Sequence, residues 1–189
     1  MANEVLVKRA GRGSKWRIAG WGTAVALILL PLVAMQFTKE VNWTLGDFVF
    51  AIIMFGSVGV GLELAVRKRS RAYTVAAGLA LLVSFLSFWF TGAVGIIGNE
   101  NEDSNLLFLG VVVVALAGSA IALFRPRGMG IAMGVAAAAQ LAVPVVASMI
   151  GDSSMQAIWA REVIVLTIVF TAMWLISARL FHEAARQAG

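Results

Sequence analysis

Long apolar stretches separated by short polar connections dominate the sequence. A helix needs about 20 apolar residues to cross roughly 30 Å of hydrocarbon. Strands of a membrane barrel would instead alternate polar and apolar positions over about ten residues. Hydrocarbon offers no partner to a peptide group, so each long stretch has to satisfy its own amides by forming a helix. The pattern predicts an all-α bundle of six transmembrane helices at residues 18–37, 44–66, 72–97, 106–124, 128–150 and 155–181.

The first segment resembles a secretory signal, and the last is short in apolar residues. The segment at 18–37 follows a basic stretch, as in a secretory signal, but it is 20 residues long and no small-x-small cleavage site follows it. We therefore expect a retained helix. In the last segment, residues 163–178 give only 16 apolar positions, so we expect the helix to begin near Met155 and to carry Arg161 and Glu162 at its outer end.

Charge in the connections predicts the orientation. The tail at 1–17, the connections at 67–71 and 125–127, and the C-terminal end of the chain hold 13 of the 15 Lys and Arg residues. Cytoplasmic loops of membrane proteins carry such an excess. The pattern predicts three antiparallel hairpins in a transmembrane domain at 18–181, with a basic N-terminal tail and a C-terminal tail at 182–189 both in the cytoplasm.

Composition supports a membrane location and excludes several classes of site. The chain is 60% hydrophobic and 13% charged, whereas soluble domains are nearer half apolar and a quarter charged. The net charge of +5 lies in clusters beside apolar segments, which favours anionic lipid headgroups at the cytoplasmic face over nucleic acid. The absence of cysteine excludes disulfides, thiolate nucleophiles and cysteine-bound metals.

Two acidic positions near the ends of the second segment have both structural and functional interpretations. Asp47 follows Thr44 by three residues, which is the spacing of a capping box, and the alternative is a ligand or proton site. Glu63 lies about one turn inside the membrane boundary, where ionisable groups are costly and often functional. Arg67 follows it by four residues, the favourable order for an ion pair.

Three further polar residues are candidates in the last two segments. Arg161 and Glu162 form either an interfacial pair at a helix start or part of an outward-facing polar site. Gln140 lies deep in the fifth segment, and we interpret it as an interhelical hydrogen bond rather than as a ligand.

Proline and small residues predict the shape and packing of the helices. Pro31 and Pro144 are expected to kink the first and fifth helices. Small residues four apart allow close backbone approach, a principal source of helix association in lipid. This pattern predicts packing faces, within the chain or toward a protein partner or a second copy, at Ser57, Gly61, Gly130 and Gly134.

The connection at 98–105 is dense in oxygen ligands. Calcium prefers such groups, but the spacing of a calcium loop is missing, which favours a solvated acidic turn. Asp103 or Ser104 is a candidate cap for the fourth helix.

Motifs for catalysis or for a cofactor are not found. His182 is the single histidine, and His182-Glu183-Ala184-Ala185-Arg186 has arginine where a zinc-protease helix has its second histidine. Haem held by two histidines of one chain is excluded. We therefore expect no catalytic residue, no metal and no cofactor.

Two segments carry a resemblance. The sequences Asn-Trp-Thr-Leu-Gly-Asp-Phe at 42–48 and Gly-Ala-Val-Gly-Ile-Ile-Gly at 92–98, with the acidic loop that follows, resemble small uncharacterised multi-pass proteins of the bacterial inner membrane. The resemblance implies a location in that membrane. It carries no activity, and so no functional residue, to this chain.

These observations predict a non-enzymatic accessory or scaffold protein. The alternative is a small ion- or proton-coupled transporter or channel that uses Asp47, Glu63, Gln140 and Glu162. A second alternative is a membrane enzyme that acts on lipid through acidic groups near the outer face. A packed bundle would favour the first, a polar central cavity the second, and an outer cleft with paired carboxylates the third.

Overall fold

Helices account for nearly all of the regular structure in the computed structural model. It describes residues 2–68, 70–93, 95–98, 102–150 and 153–188, with their side chains except those of 2–16 and 93. The helices are α1 (Ala2–Ala34), α2 (Leu45–Arg67), α3 (Arg71–Ala93), α4 (Leu106–Ile121), α5 (Pro126–Ile150), α6 (Met155–Ile158) and α7 (Arg161–Gln187), with a 3₁₀ turn at Asp103–Asn105. All but α6 are long and apolar enough to cross a membrane, which confirms the six apolar helices and indicates a polytopic membrane protein.

The first and third helices end three and four residues earlier than the apolar pattern suggests. Helix α1 ends at Ala34, and residues 35–37 form a turn in which the amide of Phe37 donates to the Ala34 carbonyl. Helix α3 ends at Ala93, and both Gly95 and Gly98 have positive φ (77° and 66°). Only glycine adopts that conformation without strain, so the chain turns here although its residues remain apolar.

A four-residue corner joins α4 to α5. Leu123 and Phe124 both have positive φ, 49° and 54°, which ends α4 at Ile121 rather than at Phe124 as predicted. The next helix begins at Pro126, two residues before the predicted Gly128. Proline suits the first turn of a helix because its missing N–H would have no intrahelical acceptor there.

The predicted sixth segment is divided into two helices. Ser154 caps the single turn α6, its hydroxyl oxygen accepting from the Ala157 amide. Trp159 then leaves the helical conformation, and Ala160 is extended (φ −60°, ψ 146°) as the cap of α7. The membrane-crossing helix therefore begins at Arg161, not near Met155, and continues to Gln187.

Residues 1–60 form one of two compact units. Helix α1 and the first part of α2 belong to it, and the ring of Trp21 lies against Gly59, where an added Cβ would come within 2.7 Å of the ring. Most other apolar side chains of this unit are exposed, with Ala51 and Met54 among its few buried ones. The basic side chains at 8–15 lie outside the described side chains, so their predicted headgroup contacts stay a prediction.

Residues 61–189 form the second unit, which contains the buried core. Helices α3, α4, α5 and α7 supply the core, and its largest fully buried side chains include Trp174, Phe108, Phe170 and Phe181. The hydroxyl of Ser177 on α7 donates to the Ala76 carbonyl of α3 over 2.8 Å. This bond gives the buried hydroxyl a partner in apolar surroundings and links the two helices.

Candidate functional site

The carboxylate of Asp47 is engaged at the start of its own helix. Its Oδ2 accepts from the Thr44 amide at 2.7 Å and from the Thr44 hydroxyl at 2.8 Å, and the Thr44 hydroxyl accepts from the Asp47 amide at 3.4 Å. These reciprocal bonds form the capping box that the spacing predicts. Both side chains are exposed. The geometry accounts for Asp47 without a ligand.

Glu63 and Arg67 lie near the C-terminal end of α2, with Glu63 half-buried and Arg67 exposed. Their spacing of four residues puts them on one helix face. The ion pair between them stays a prediction.

Arg161 and Glu162 open α7 at the surface. Their side chains are 89% and 72% exposed, and Arg161 Nε lies 3.9 Å from Glu162 Oε1. An ion pair this exposed contributes little to stability, because water screens it. Exposure on this scale is typical of an interfacial pair and unlike an enclosed polar site.

The surroundings of Gln140 differ from the predicted ones. Its side chain is fully buried in α5, yet neither its amide nitrogen nor its amide oxygen has a hydrogen-bond partner among the described residues. Within the part of the chain that the structure describes, the predicted interhelical hydrogen bond is not made. An unpaired buried polar group costs about 1–3 kcal/mol, so this side chain is a local destabilising feature of the core.

A polar face of α7 lies at the level of Gln140. An added Cβ on Gly130 of α5 would meet the His182 ring of α7 at 2.8 Å, and both helices rise about 1.5 Å per residue. Gln140 lies ten residues after Gly130 in α5, and Thr171 lies eleven residues before His182 in α7. We therefore expect Gln140 and Thr171 at about the same level. The buried side chains without a partner in the described structure include three from this part of α7: Thr167, Thr171 and Trp174.

We expect Gln140→Met to raise the free energy of unfolding by about 1–2 kcal/mol, because methionine keeps the volume and removes two unpaired polar atoms. Thermal unfolding in detergent micelles measures the effect. Gln156→Met in α6, where the glutamine is exposed, is the matched control and should change little. Clear destabilisation by Gln140→Met would show that the amide is paired in the native membrane.

A basic pocket lies where the first turn of α5 meets the last turns of α7. It has a volume of about 740 Å³. We call it the basic pocket, and its described lining is Arg125, Pro126, Arg127, His182, Ala185, Arg186 and Ala188. The charge clusters at 125–127 and near the C-terminus are visible in the sequence, but their convergence in one pocket is not.

The corner before α5 holds the basic pocket in place. The Tyr73 hydroxyl of α3 donates to the Phe124 carbonyl at 3.1 Å, and Tyr73 is buried. The Phe181 ring packs edge-on against Tyr73, with ring centroids 5.0 Å apart. Arg125 and His182 follow Phe124 and Phe181 directly in the chain. The backbone on both sides of the pocket is therefore fixed by the same tyrosine.

The acidic connection between α3 and α4 is tied to the protein in its described part. Glu102 Oε2 accepts from the Ser153 hydroxyl at 2.8 Å, and that hydroxyl lies 3.1 Å from Ser104 Oγ. The predicted side-chain cap by Asp103 or Ser104 is not formed, since Asn105 occupies the cap position of α4. Residues 99–101 of the possible calcium loop lie outside the described residues. Within the described part of the chain, no three acidic or histidine side chains are grouped to hold a metal.

Close helix approach occurs at some of the predicted small residues and at others that were missed. Gly61 lies against Leu81, and Gly130 against His182. Ser57 is exposed, and an added Cβ on Gly134 would meet nothing within 4 Å.

Two glycines that sequence reasoning did not select make close contacts, Gly118 of α4 with α5 and Gly128 of α5 with the corner that precedes it. An added Cβ on Gly118 would lie 2.8 Å from the Ala132 Cβ, and one on Gly128 would lie 2.6 Å from the Ala122 Cβ. The run of small residues at 117–120 was an available signal for the first of them.

The prolines lie inside continuous helices. Pro31 is within α1 and Pro144 within α5, and both are buried. Each removes one backbone donor from its helix. The kinks stay predictions.

Comparison with known proteins adds no relative: no protein-family model, no curated protein and no solved structure matches the chain.

Proposed function

We propose that this chain is a non-enzymatic accessory or scaffold protein of the bacterial inner membrane, crossing it six times as three antiparallel hairpins with both termini in the cytoplasm. The charge distribution supports the orientation, since 13 of 15 basic residues fall on one side of that arrangement. The short connections, such as the four residues between α4 and α5, support the hairpins.

The filled core of the second unit is the observation that carries the scaffold role. Trp174, Phe108 and Phe170 are each at most 1% exposed among the helices of that core. A transport path would need polar side chains to converge there. Instead, Glu162 is exposed at the surface of α7, and the buried polar side chains of α7 near the level of Gln140 are uncharged threonine and tryptophan groups.

Exposed helix faces supply the contact surface that such a role requires. Gly134 on α5 and Gly110 on α4 have open space beside them, and Ile131 next to Gly134 is 61% exposed. Small residues allow another helix to approach closely in lipid. The partner in this proposal is a transmembrane helix of another protein or of a second copy.

Photocrosslinking in native membranes tests this role. A benzophenone residue at Ile131, beside Gly134, is expected to give one discrete protein adduct. The same residue at Ile168 of α7, which is 58% exposed, is the control and should give lipid adducts. Lipid adducts at both positions would contradict the scaffold role.

A small proton-coupled transporter is the second candidate, favoured by Gln140 and by the buried polar groups of α7 that have no partner among the described residues. Proteoliposomes loaded with a pH-sensitive dye test it. We expect the same proton flux from wild-type protein, from Glu63→Gln and from protein-free vesicles. A flux that wild-type protein supports and Glu63→Gln abolishes, with assembly intact, would establish transport and displace the scaffold proposal.

A further inference from the structure

The described lining of the basic pocket concentrates positive charge. Three of its lining side chains are the guanidinium groups of Arg125, Arg127 and Arg186, which remain charged at any physiological pH. None of the described lining residues is acidic. Three like charges around one cavity repel each other, and an anion in the cavity would remove that repulsion.

Backbone groups add to the same electrostatic preference. Helix α5 is 25 residues long and begins at the pocket with Pro126. Its first intrahelical bond is from the Met129 amide to the Arg125 carbonyl at 2.9 Å, which leaves the amides of Arg127 and Gly128 in the first turn without an intrahelical acceptor. Such amides and the positive end of the helix dipole favour a bound anion.

His182 adds a donor at the wall of the pocket. Its ring lies against Gly130, one turn into α5, so that it faces the start of that helix. Arg186 follows four residues later on the same face of α7. Guanidinium forks, an imidazole and free backbone amides are the groups that recognise phosphate oxygens.

We infer that the basic pocket is a binding site for the phosphate group of an anionic ligand, with a phospholipid headgroup as the ligand that its position favours. The pocket lies at the ends of two membrane-crossing helices, where headgroups are found, and basic pockets between such helices bind acidic lipids. The cytoplasmic leaflet as its location rests on the orientation proposed above. The phosphate chemistry does not, because it follows from the lining groups.

Native mass spectrometry of the full chain in neutral detergent, with added phosphatidylglycerol or phosphatidylcholine, tests the site. Wild-type protein is expected to retain phosphatidylglycerol in preference to phosphatidylcholine. The double variant R127Q/R186Q is expected to weaken retention of phosphatidylglycerol by about tenfold or more, since charge-assisted bonds are lost. Both arginines are exposed, so the variant should fold, and thermal unfolding without lipid checks that it does.

Arg179→Gln is the matched control. Arg179 is an exposed arginine of the same helix that does not line the basic pocket, and its loss should leave retention within about twofold. Equal retention by wild type and the double variant, or an equal loss in Arg179→Gln, would overturn the inference. The latter result would assign binding to general surface charge.

A second arm separates the two sources of phosphate. Inorganic phosphate or glycerol phosphate is added to lipid-free protein, and the shift in thermal unfolding is compared between wild type and the double variant. Stabilisation of wild type by these soluble anions, without retention of phosphatidylglycerol, would support the phosphate site and assign it a soluble ligand. Detergent exposes both ends of the protein, so these results hold even if the scaffold role or its orientation fails.

Discussion

Asn105→Ala is expected to lower the free energy of unfolding by about 3–5 kcal/mol, because it leaves several buried backbone groups without partners. Asn105 is 1% exposed. Its Oδ1 accepts from the amides of Ile96 and Ile97, both at 2.7 Å, and its Nδ2 donates to the Ile97 carbonyl at 3.1 Å. One side chain thus satisfies the backbone of the chain that leaves α3.

Unfolding by sodium dodecyl sulfate from mixed micelles measures this loss. Asn42→Ala removes an exposed asparagine from another connection and is expected to change stability by less than about 0.5 kcal/mol. Similar small effects from both substitutions would show that water replaces the Asn105 bonds, and that the connection after α3 is not held by this side chain.

Gly118→Leu is expected to destabilise the protein by about 3 kcal/mol, because a side chain there overlaps its neighbouring helix. An added Cβ would lie 2.8 Å from the Ala132 Cβ and 3.3 Å from the Ala132 Cα. The second atom belongs to the backbone of α5, so α4 and α5 would have to separate. The same micelle titration measures the change.

Gly110→Leu on the same helix is the matched control. Nothing lies within 4 Å of an added Cβ at Gly110, so leucine there points into open space. Leucine also favours helix over glycine by nearly 1 kcal/mol, and we expect this variant to be neutral or slightly stabilised. Comparable destabilisation by both substitutions would locate the effect in α4 itself rather than in its contact with α5.

Length and hydrophobicity were enough to predict the six apolar helices, because hydrocarbon forces each long apolar segment to satisfy its own amides. The helix ends were less predictable. Residues 95–97 are apolar but lie in a turn set by Gly95 and Asn105, and Trp159 interrupts a segment that hydropathy alone would continue. Hydropathy reports whether a residue prefers lipid or water. These helix ends depend instead on backbone conformation and on hydrogen bonds from individual side chains.

The candidate site was predictable only where it depends on residues close together in the chain. The capping box of Thr44 and Asp47 is a local spacing, so the sequence contains it in full. The basic pocket joins Arg127 to Arg186, which are far apart in the chain, and its formation depends on how α5 meets α7. Gln140 shows the opposite limit, because a buried amide predicts a partner and none of the described residues provides one.

Tyr73 is the single tyrosine of the chain, and its hydroxyl is bound to the corner that precedes Arg125. Biosynthetic replacement of tyrosine by fluorotyrosine therefore gives the protein one fluorine resonance. That resonance would report from beside the basic pocket, in any detergent or bilayer, without a further label.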